Sequence, residues 1–325
     1  MRILMDSPDL IGDFAGPGDI GPAIRLESLP GEELALFQAL SAGHAIWIGA
    51  AADPELVQFW KRAVIVQDAP ASQFDVLNQL LGAGLVLPGP VATAALRGRN
   101  FHGLRGRPWA AVQGNLHMCT AFHAGGLEAR NALALTMLPA VSVVRALRKL
   151  TAGCVQPGIK WVNDILVEGR KVGGVLTSTR TNAGGVSDVV FGIGLNLLHA
   201  PDLPWTPFVP AVGCLMHAGA NIGVAAAFQA ILAEIARLWS RFVGEGPRSL
   251  FEEYRDSSLV VGREVCIWEE GIDATLEIAS YPPPFVRGVV RDINPDLSLA
   301  LQGVEQPVTR GRLAFADHCT PLAGK

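Results

Sequence analysis

Three stretches of the chain bring together residue types that can do chemistry. In KWVNDILVEGRKVGG, Lys160 and Asp164 alternate onto one face of a strand and Lys171 lies just beyond a turn at Glu168–Arg170. Lysines flanking a turn are ordinarily solvated. Here, however, Asn163 and Asp164 sit inside an otherwise apolar strand, and a buried polar group has to find a hydrogen-bond partner, a counter-charge or a ligand. Gly173 and Gly174 leave the backbone open to close approach. In RGRNFHGLRGRPW, Arg97, Arg99, Arg105 and Arg107 are interleaved with Gly98, Gly103 and Gly106. Guanidinium forks match phosphate or carboxylate oxygens, and glycines let backbone amides come close to an anion. By itself such a run serves equally well as an exposed loop or an RNA-binding patch. The third stretch, GIGLN from Gly192 to Asn196, lacks the third glycine and the βαβ setting of a dinucleotide fingerprint. No G-x-x-x-x-G-K-[ST] loop occurs, so ATP is not held in the P-loop manner.

Elements must position these groups. With 325 residues, 50% hydrophobic and 17% charged, the chain is globular and long enough for one large domain and a smaller companion. A formal charge of −4 gives no overall drive toward nucleic acid or anionic membrane, though a local basic loop can still hold phosphates. Cys119, Cys154, Cys214, Cys266 and Cys319 are odd in number, widely spread and free of zinc-type spacing, which suits a reducing cytoplasm. The N-terminal residues carry aspartates where a signal peptide needs an apolar core, and the apolar stretches 131–150 and 222–239 are interrupted by proline and charge. The location expected is therefore cytoplasmic, without a membrane span.

Within residues 1–62 we read an apolar run at 33–40 and a strand at 45–50, with no assigned role. A domain over 63–246 follows, opening with a strand at Ala63–Val66. Next comes a helix whose N-cap is Ser72, then an apolar helix over Ala132–Leu150 with Arg145, Arg148 and Lys149 toward its end. IKWVNDILV alternates as one strand, KVGGVLTSTR returns beside it, Asp188–Leu198 forms another buried strand and Gly223–Phe242 a helix. Residues 247–325 hold a polar helix at Ser249–Ser257 and five short strands (GREVCIW, ATLEIAS, VRGVVRDI, LSLALQG, VTRGRLAF), the size of a small SH3-like β-barrel. The fold expected is α+β, a mixed and largely antiparallel sheet packed with helices, plus that barrel.

In order, these residues resemble the biotin protein ligases, within the wider biotin and lipoate ligase superfamily, from about Val64 to Phe315. KWVNDILVEGRKVGGVL is similar to the family's K-W-P-N-D-(I/L)…K-x-x-G-(I/V)-L, with Val162 in place of proline. RGRPW followed by GNLHM resembles the nucleotide loop G-R-G-R-x-G-R-x-W and the strand G-N-L-Y, and GIGLN matches G-I-G-x-N. The resemblance implies activation of biotin with ATP and Mg2+ to biotinyl-adenylate and pyrophosphate, followed by attack of a lysine on a biotin carboxyl carrier protein or carboxylase domain. It casts Lys171, Lys160 and Arg107 as catalytic cations and Asn163 and Asp164 as placing the nucleotide, Asp164 with its magnesium. Arg99, Arg105, Gly106 and Trp109 would belong to the phosphate loop. Ser72, Gln73, Gln113, Gly114, Asn115, Gly173, Gly174, Gly192, Gly194 and Asn196 would line the acyl and nucleotide pocket. A homodimer is left open.

Two departures stand out. Leu104 occupies the place of an expected arginine, which leaves Arg97 or Arg99 to replace it, and the family's Ser-Thr-Asn is Ser72-Gln73-Phe74. Lipoate or octanoate transfer would need an R-R-x-x-G-G-G acyl motif, which is absent. A non-catalytic biotin-binding homologue conflicts with retention of Lys160 and Lys171. DNA binding by the N-terminal segment is rejected, because residues 1–60 hold only Arg2 and Arg25 as basic residues, too few to neutralise a phosphate backbone.

Overall fold

The computed structural model describes the whole chain except residues 16–22, 44, 52, 274–279 and 320–325. Its elements run β1 (Arg2–Met5), α1 (Ile11–Phe14), β2 (Ile24–Arg25), α2 (Gly31–Leu40), β3 (Ala45–Ala50), α3 (Pro54–Phe59), β4 (Arg62–Ala69) and α4 (Gln73–Gly82). They continue with β5 (Val91–Gly98), β6 (Leu116–Leu127), α5 (Met137–Leu150), β7 (Gly158–Lys160), β8 (Asp164–Val167), β9 (Arg170–Asn182) and β10 (Gly185–Leu195). After α6 (Val224–Glu245) and α7 (Arg248–Asp256) come β11 (Glu264–Trp268), β12 (Val286–Ile293), β13 (Leu299–Leu301) and β14 (Arg312–Phe315).

One ten-stranded sheet in the order β2-β3-β1-β4-β5-β6-β10-β9-β8-β7 carries the larger part of the molecule. Its ladders are antiparallel except for β1 beside β4 and β4 beside β5. The sequence reading set residues 1–62 apart, whereas β1 inserts between β3 and β4 and makes this segment part of the same sheet. Both faces are covered. Along β4, Ala63 and Ile65 enter the core shared with α5 and α6, while Val64 and Val66 enter the one shared with α2 and α4. That is why the strand reads as an unbroken apolar run instead of alternating. Helix α4 starts at its expected N-cap, Ser72 Oγ accepting from the Asp75 amide at 3.4 Å. Helix α5 starts later than expected, at Met137, after two 3-10 turns, which puts Pro139 in its first turn where no intrahelical N–H is needed.

The second correction bears on the site. IKWVNDILV is not one strand: β7 and β8 form an antiparallel hairpin that reverses at Trp161–Asn163, with a cis Trp161–Val162 peptide. The polar groups of this turn are satisfied from outside a ladder. The Trp161 indole donates to the Leu297 carbonyl at 2.7 Å, the Asn163 amide donates to the Val175 carbonyl at 2.7 Å, and the Val175 N–H returns to the Asn163 carbonyl at 3.0 Å. Lys160 and Asp164 therefore stand directly opposite each other across two strands. Between β8 and β9 the chain turns through Glu168 and Gly169, both at positive φ (50° and 75°), as a two-residue hairpin requires.

The C-terminal strands form a separate four-stranded sheet, β13-β12-β11-β14. The strand expected at ATLEIAS falls on residues 274–280, nearly all outside the described residues.

Candidate active site

A cavity of about 570 Å³ opens on the α4 face of the large sheet. Its floor is where β10 carries glycine: a Cβ on Gly192 would come within 3.0 Å of the Phe74 ring, and one on Gly194 within 2.6 Å of the Trp109 indole. Absent side chains let two aromatic rings lie on the strand itself. Phe74, Phe101, Met118, Cys119 and Leu176 make the lining largely apolar. Against this background Gln73, 3% exposed, keeps its amide Nε2 without a hydrogen-bond partner. It is a buried donor that a ligand acceptor would satisfy. The segment over the cavity contributes Leu203 and Trp205, both large and exposed.

The cations gather at the other end. Lys171 Nζ lies 2.6 Å from Asp164 Oδ1. A register shift between Ile165 and Leu166 of β8 produces this pair. Val172 and Val175 of β9 both enter the core although three residues apart, which takes one extra residue in the strand, and that bulge turns Lys171 toward Asp164. Backbone bonds from Lys171 N to the Ala211 carbonyl and from Gly213 N to the Lys171 carbonyl, both 2.9 Å, fix the position. Burial alone would push the Asp164 carboxyl up, but Lys171, Lys160 and Arg107 hold it below the usual range. Burial pushes Lys160 down to about 8 against the pull of Asp164, and its Nζ donates to the Phe208 carbonyl at 2.6 Å. The Trp109 Nε1–H donates to His117 Nδ1 at 3.2 Å. His117 is buried and pushed down to about 4, so it is neutral and accepts that bond.

Of the expected site residues, the cavity brings together Ser72, Gln73, Arg107, Trp109, Asn163 and Asp164. Lys171, Gly174, Gly192, Gly194 and Asn196 join them. Others stand elsewhere. Lys160, Arg105 and the outer side of Arg107 face a second cavity. Arg105 is ion-paired to Glu270, Gly106 lies in the exposed loop at φ 71°, and Arg99 and Gln113 are exposed and line neither cavity. Arg97 is 3.1 Å from Asp68 on the surface, so neither Arg97 nor Arg99 takes the place vacated at Leu104. Asn115 is buried and acts behind the site. Its Oδ1 accepts from the amides of Leu197, Leu198 and His199 at 3.0, 3.2 and 3.1 Å, which sets the turn that Asn196 starts. Gly114 packs under His199, and Gly173 is needed because a Cβ there would meet the Gly194 carbonyl at 2.7 Å. Asp164 directs its charge at Lys171, and the described residues hold no group of three His, Cys, Asp or Glu that could cage a metal.

Sequence reasoning missed three contributors. His102 lines the cavity with Nε2 2.9 Å from Asp75 of α4 and Nδ1 3.1 Å from the Gly103 carbonyl. Phe101 fills the space over Gly98, where a Cβ would sit 2.5 Å from its ring. Arg312, at the start of β14, reaches both cavities from the C-terminal sheet. Spacing carried no sign of it, because the contact spans the fold.

The class of protein this defines is an α+β fold whose sheet floors an apolar cavity with cations at one end, a layout that can hold a small organic acid against a phosphate. Residues 91–196, the stretch that holds β5 through β10, match the Biotin/lipoate A/B protein ligase family. The chain is 33% identical over 131 residues to the bifunctional ligase/repressor BirA of Bacillus subtilis, a match covering 40% of each chain. It is 36% identical over 100 residues to the biotin–[acetyl-CoA-carboxylase] ligase of Paracoccus denitrificans, covering 31% of this chain and 41% of that one. The matches thus span about two fifths of the length of these relatives. In fold the chain is similar to the biotin protein ligase from Aquifex aeolicus in complex with biotin and ATP, with a TM-score of 0.59 at 19% identity over 78% of this chain and 98% of that one.

Proposed function

We propose that this protein is an ATP-dependent ligase that activates biotin as biotinyl-adenylate and transfers it to a lysine of a biotin carboxyl carrier protein. The observation that carries this reading is the Lys171–Asp164 pair at the cation end of an otherwise apolar cavity. Adenylation gathers negative charge on the α-phosphate as the acid's carboxylate attacks it, and a cation already fixed in place stabilises that charge without reorganisation. Lys171 is such a cation, and Asp164 and the backbone bonds to 211–213 keep it from swinging into water. The unpaired Gln73 amide at the apolar end supports an acid whose far end carries a hydrogen-bond acceptor, as the biotin ureido carbonyl does and an octanoyl chain does not. Magnesium at phosphate sites is usually held by one or two carboxylates and the phosphates themselves, and Asp164 is the carboxylate that would contribute here.

The deciding experiment is acid-dependent ATP–pyrophosphate exchange on the full chain, run with biotin, lipoate and octanoate, followed by labelling of a carrier domain. Biotin is expected to support exchange and the other two not. Lys171→Ala is expected to keep the fold and to lower exchange by about a hundredfold or more. Exchange with octanoate alone would replace biotin by a plain acyl chain, and a folded wild-type chain that exchanges with none of the three would make the reading wrong.

A further inference from the structure

Between β10 and α6 the chain crosses residues 196–223 without a helix or strand. The part over the first cavity, APDLPWTPFVPA at 200–211, has proline at 201, 204, 207 and 210. That spacing is the three-residue period of polyproline II, and prolines have neither an N–H for a ladder nor much freedom to lose when the segment is held in one place. Both ends are tied down. Asn115 accepts from the His199 N–H at 3.1 Å and donates to the His199 carbonyl at 2.7 Å, and the Ala211 carbonyl accepts from the Lys171 N–H at 2.9 Å. From 200 to 210 the strap buries only Pro207 and Phe208, while Leu203 and Trp205, which line the cavity, are 48% and 45% exposed.

Phe208 fastens the middle of the strap to the C-terminal sheet. A turn at 206–209, closed by the Val209 N–H donating to Thr206 Oγ1 at 3.0 Å, puts it at the tip. Its ring sits with Cys266 and Trp268 of β11 and Ala314 of β14. Trp268 meets it edge-on at 5.6 Å, Tyr281 stacks on it at 6.0 Å, and the Arg312 guanidinium lies 3.8 Å over it. Aromatic and cation–π contacts of this kind are directional, so they fix the place of the ring as well as bury it. The Phe208 carbonyl accepts from Lys160 Nζ at 2.6 Å. Lys160 is buried and does not line the first cavity, so it acts on that cavity through the strap it holds.

We propose that Phe208 is a positioning residue: pinned in the C-terminal sheet, it holds Leu203 and Trp205 over the first cavity with no help from a ligand, and the escape of a bound acyl-adenylate is set by this roof. The inference rests on the adenylation reading of that cavity. A reactive mixed anhydride has to be kept from water until its acceptor arrives, and a roof fixed in advance does so without an ordering cost at each turnover. The wall below fits such a role. Leu104 lines the cavity in the place of an expected arginine, so the phosphate has one cation fewer to grip it and enclosure matters more. Because nothing between 200 and 210 is buried except Pro207 and Phe208, loss of the pin frees Leu203 and Trp205 together.

Chymotrypsin digestion of the full chain, with the cut located by mass spectrometry, tests the pin without ligand or turnover. The parental strap is expected to resist, and Phe208→Ala to be cut at the Trp205–Thr206 bond about tenfold faster at unchanged far-UV circular dichroism. The effect on the cavity is read from the dissociation rate of biotinyl-sulfamoyl-adenosine, a non-hydrolysable acyl-adenylate. That rate is counted per bound molecule, so an unfolded fraction does not alter it. Phe208→Ala is expected to raise it by about tenfold or more, and Phe208→Leu by less, since leucine fills the space without stacking on Tyr281. Leu203→Ala with Trp205→Ala is expected to match Phe208→Ala, and adding Phe208→Ala to that pair to change little more, because the pin acts through those two side chains. A merely structural Phe208 would give additive effects instead. Equal digestion of the parent and Phe208→Ala, a parental strap cut readily until the analogue is added, or an unchanged or additive dissociation rate would each overturn the proposal. If digestion follows expectation yet the analogue does not bind, the pin stands and the ligase reading falls.

Discussion

At the scale of single residues, the site depends as much on missing side chains as on present ones. Gly194 can carry the Trp109 indole only because it has no Cβ, and that indole is tied to neutral His117, so one glycine sets the position of a ring that lies 5.9 Å from Lys171 Nζ. Gly194→Ala should force the indole outward. The expected result is a loss of about 1 to 3 kcal/mol of stability in urea unfolding, the usual cost of overpacking, together with a red-shifted Trp emission at unchanged secondary structure. An alanine variant with parental stability and emission would mean that Trp109 does not lean on that strand. Lys171 is governed by a different local device, the bulge of β9, whose removal would turn its side chain to the opposite face.

At the scale of elements, the basic loop after β5 is held as an ordered hairpin instead of hanging free. Gly103 N donates to the Arg107 carbonyl at 2.7 Å and Trp109 N to the Phe101 carbonyl at 2.9 Å, and His102 ties the loop to the first turn of α4 through Asp75. Both His102 nitrogens point at acceptors, which favours the imidazolium. The bond to Asp75 and then the Gly103 carbonyl raise its pKa, against a smaller opposing effect of burial. Because the docked form has the raised pKa, docking is fully favoured below the ordinary histidine value of 6.5 and is lost as pH rises through the raised value. Amide hydrogen exchange in residues 100–108, corrected for intrinsic pH dependence, should therefore quicken across that window, and Asp75→Asn should flatten the response. A pH-independent exchange profile in the parent would show that His102 does not hold the loop. The contribution is small, since both side chains are partly solvated.

At the scale of the whole molecule, the N-terminal strands and the C-terminal sheet flank the family-matched stretch on both sides. Glu33 on α2 is almost fully buried and grips Arg62 of β4 and, at 3.5 Å, Arg2 of β1, which clamps the inserted strand to its neighbour. Glu33→Gln leaves those two guanidinium groups without their counter-charge. A stability loss of about 1 to 3 kcal/mol is expected, discounted from the cost of a fully buried pair because both arginines are partly exposed. Chemical denaturation should report it as a lower midpoint at constant slope, and an unchanged midpoint would mean the clamp is idle. At the other end, the Trp161–Leu297 bond joins the β7–β8 turn to the C-terminal sheet, so the hairpin that carries Lys160 and Asp164 and the sheet that carries Arg312 are braced against each other. No helix among the described residues is long and apolar enough to cross a membrane.

The sequence by itself determined the local chemistry: which segments could be strands and helices, the N-cap at Ser72, the glycine-bearing strand β10, and the proximity of Asp164 and Lys171 across a short turn. These follow from periodicity and from residue types whose physical preferences act over a few positions. Tertiary structure alone decided three things. It folded IKWVNDILV into a hairpin, because the turn's polar groups find partners on β9 and on the C-terminal sheet, which no local pattern records. It threaded β1 between β3 and β4, since two apolar strand edges gain more by pairing than by remaining open. And it brought Arg312 beside Leu104, Arg107 and Lys160, from positions far apart in the chain, because the C-terminal sheet docks against the β7–β8 hairpin, and electrostatics acts through space without regard to sequence distance.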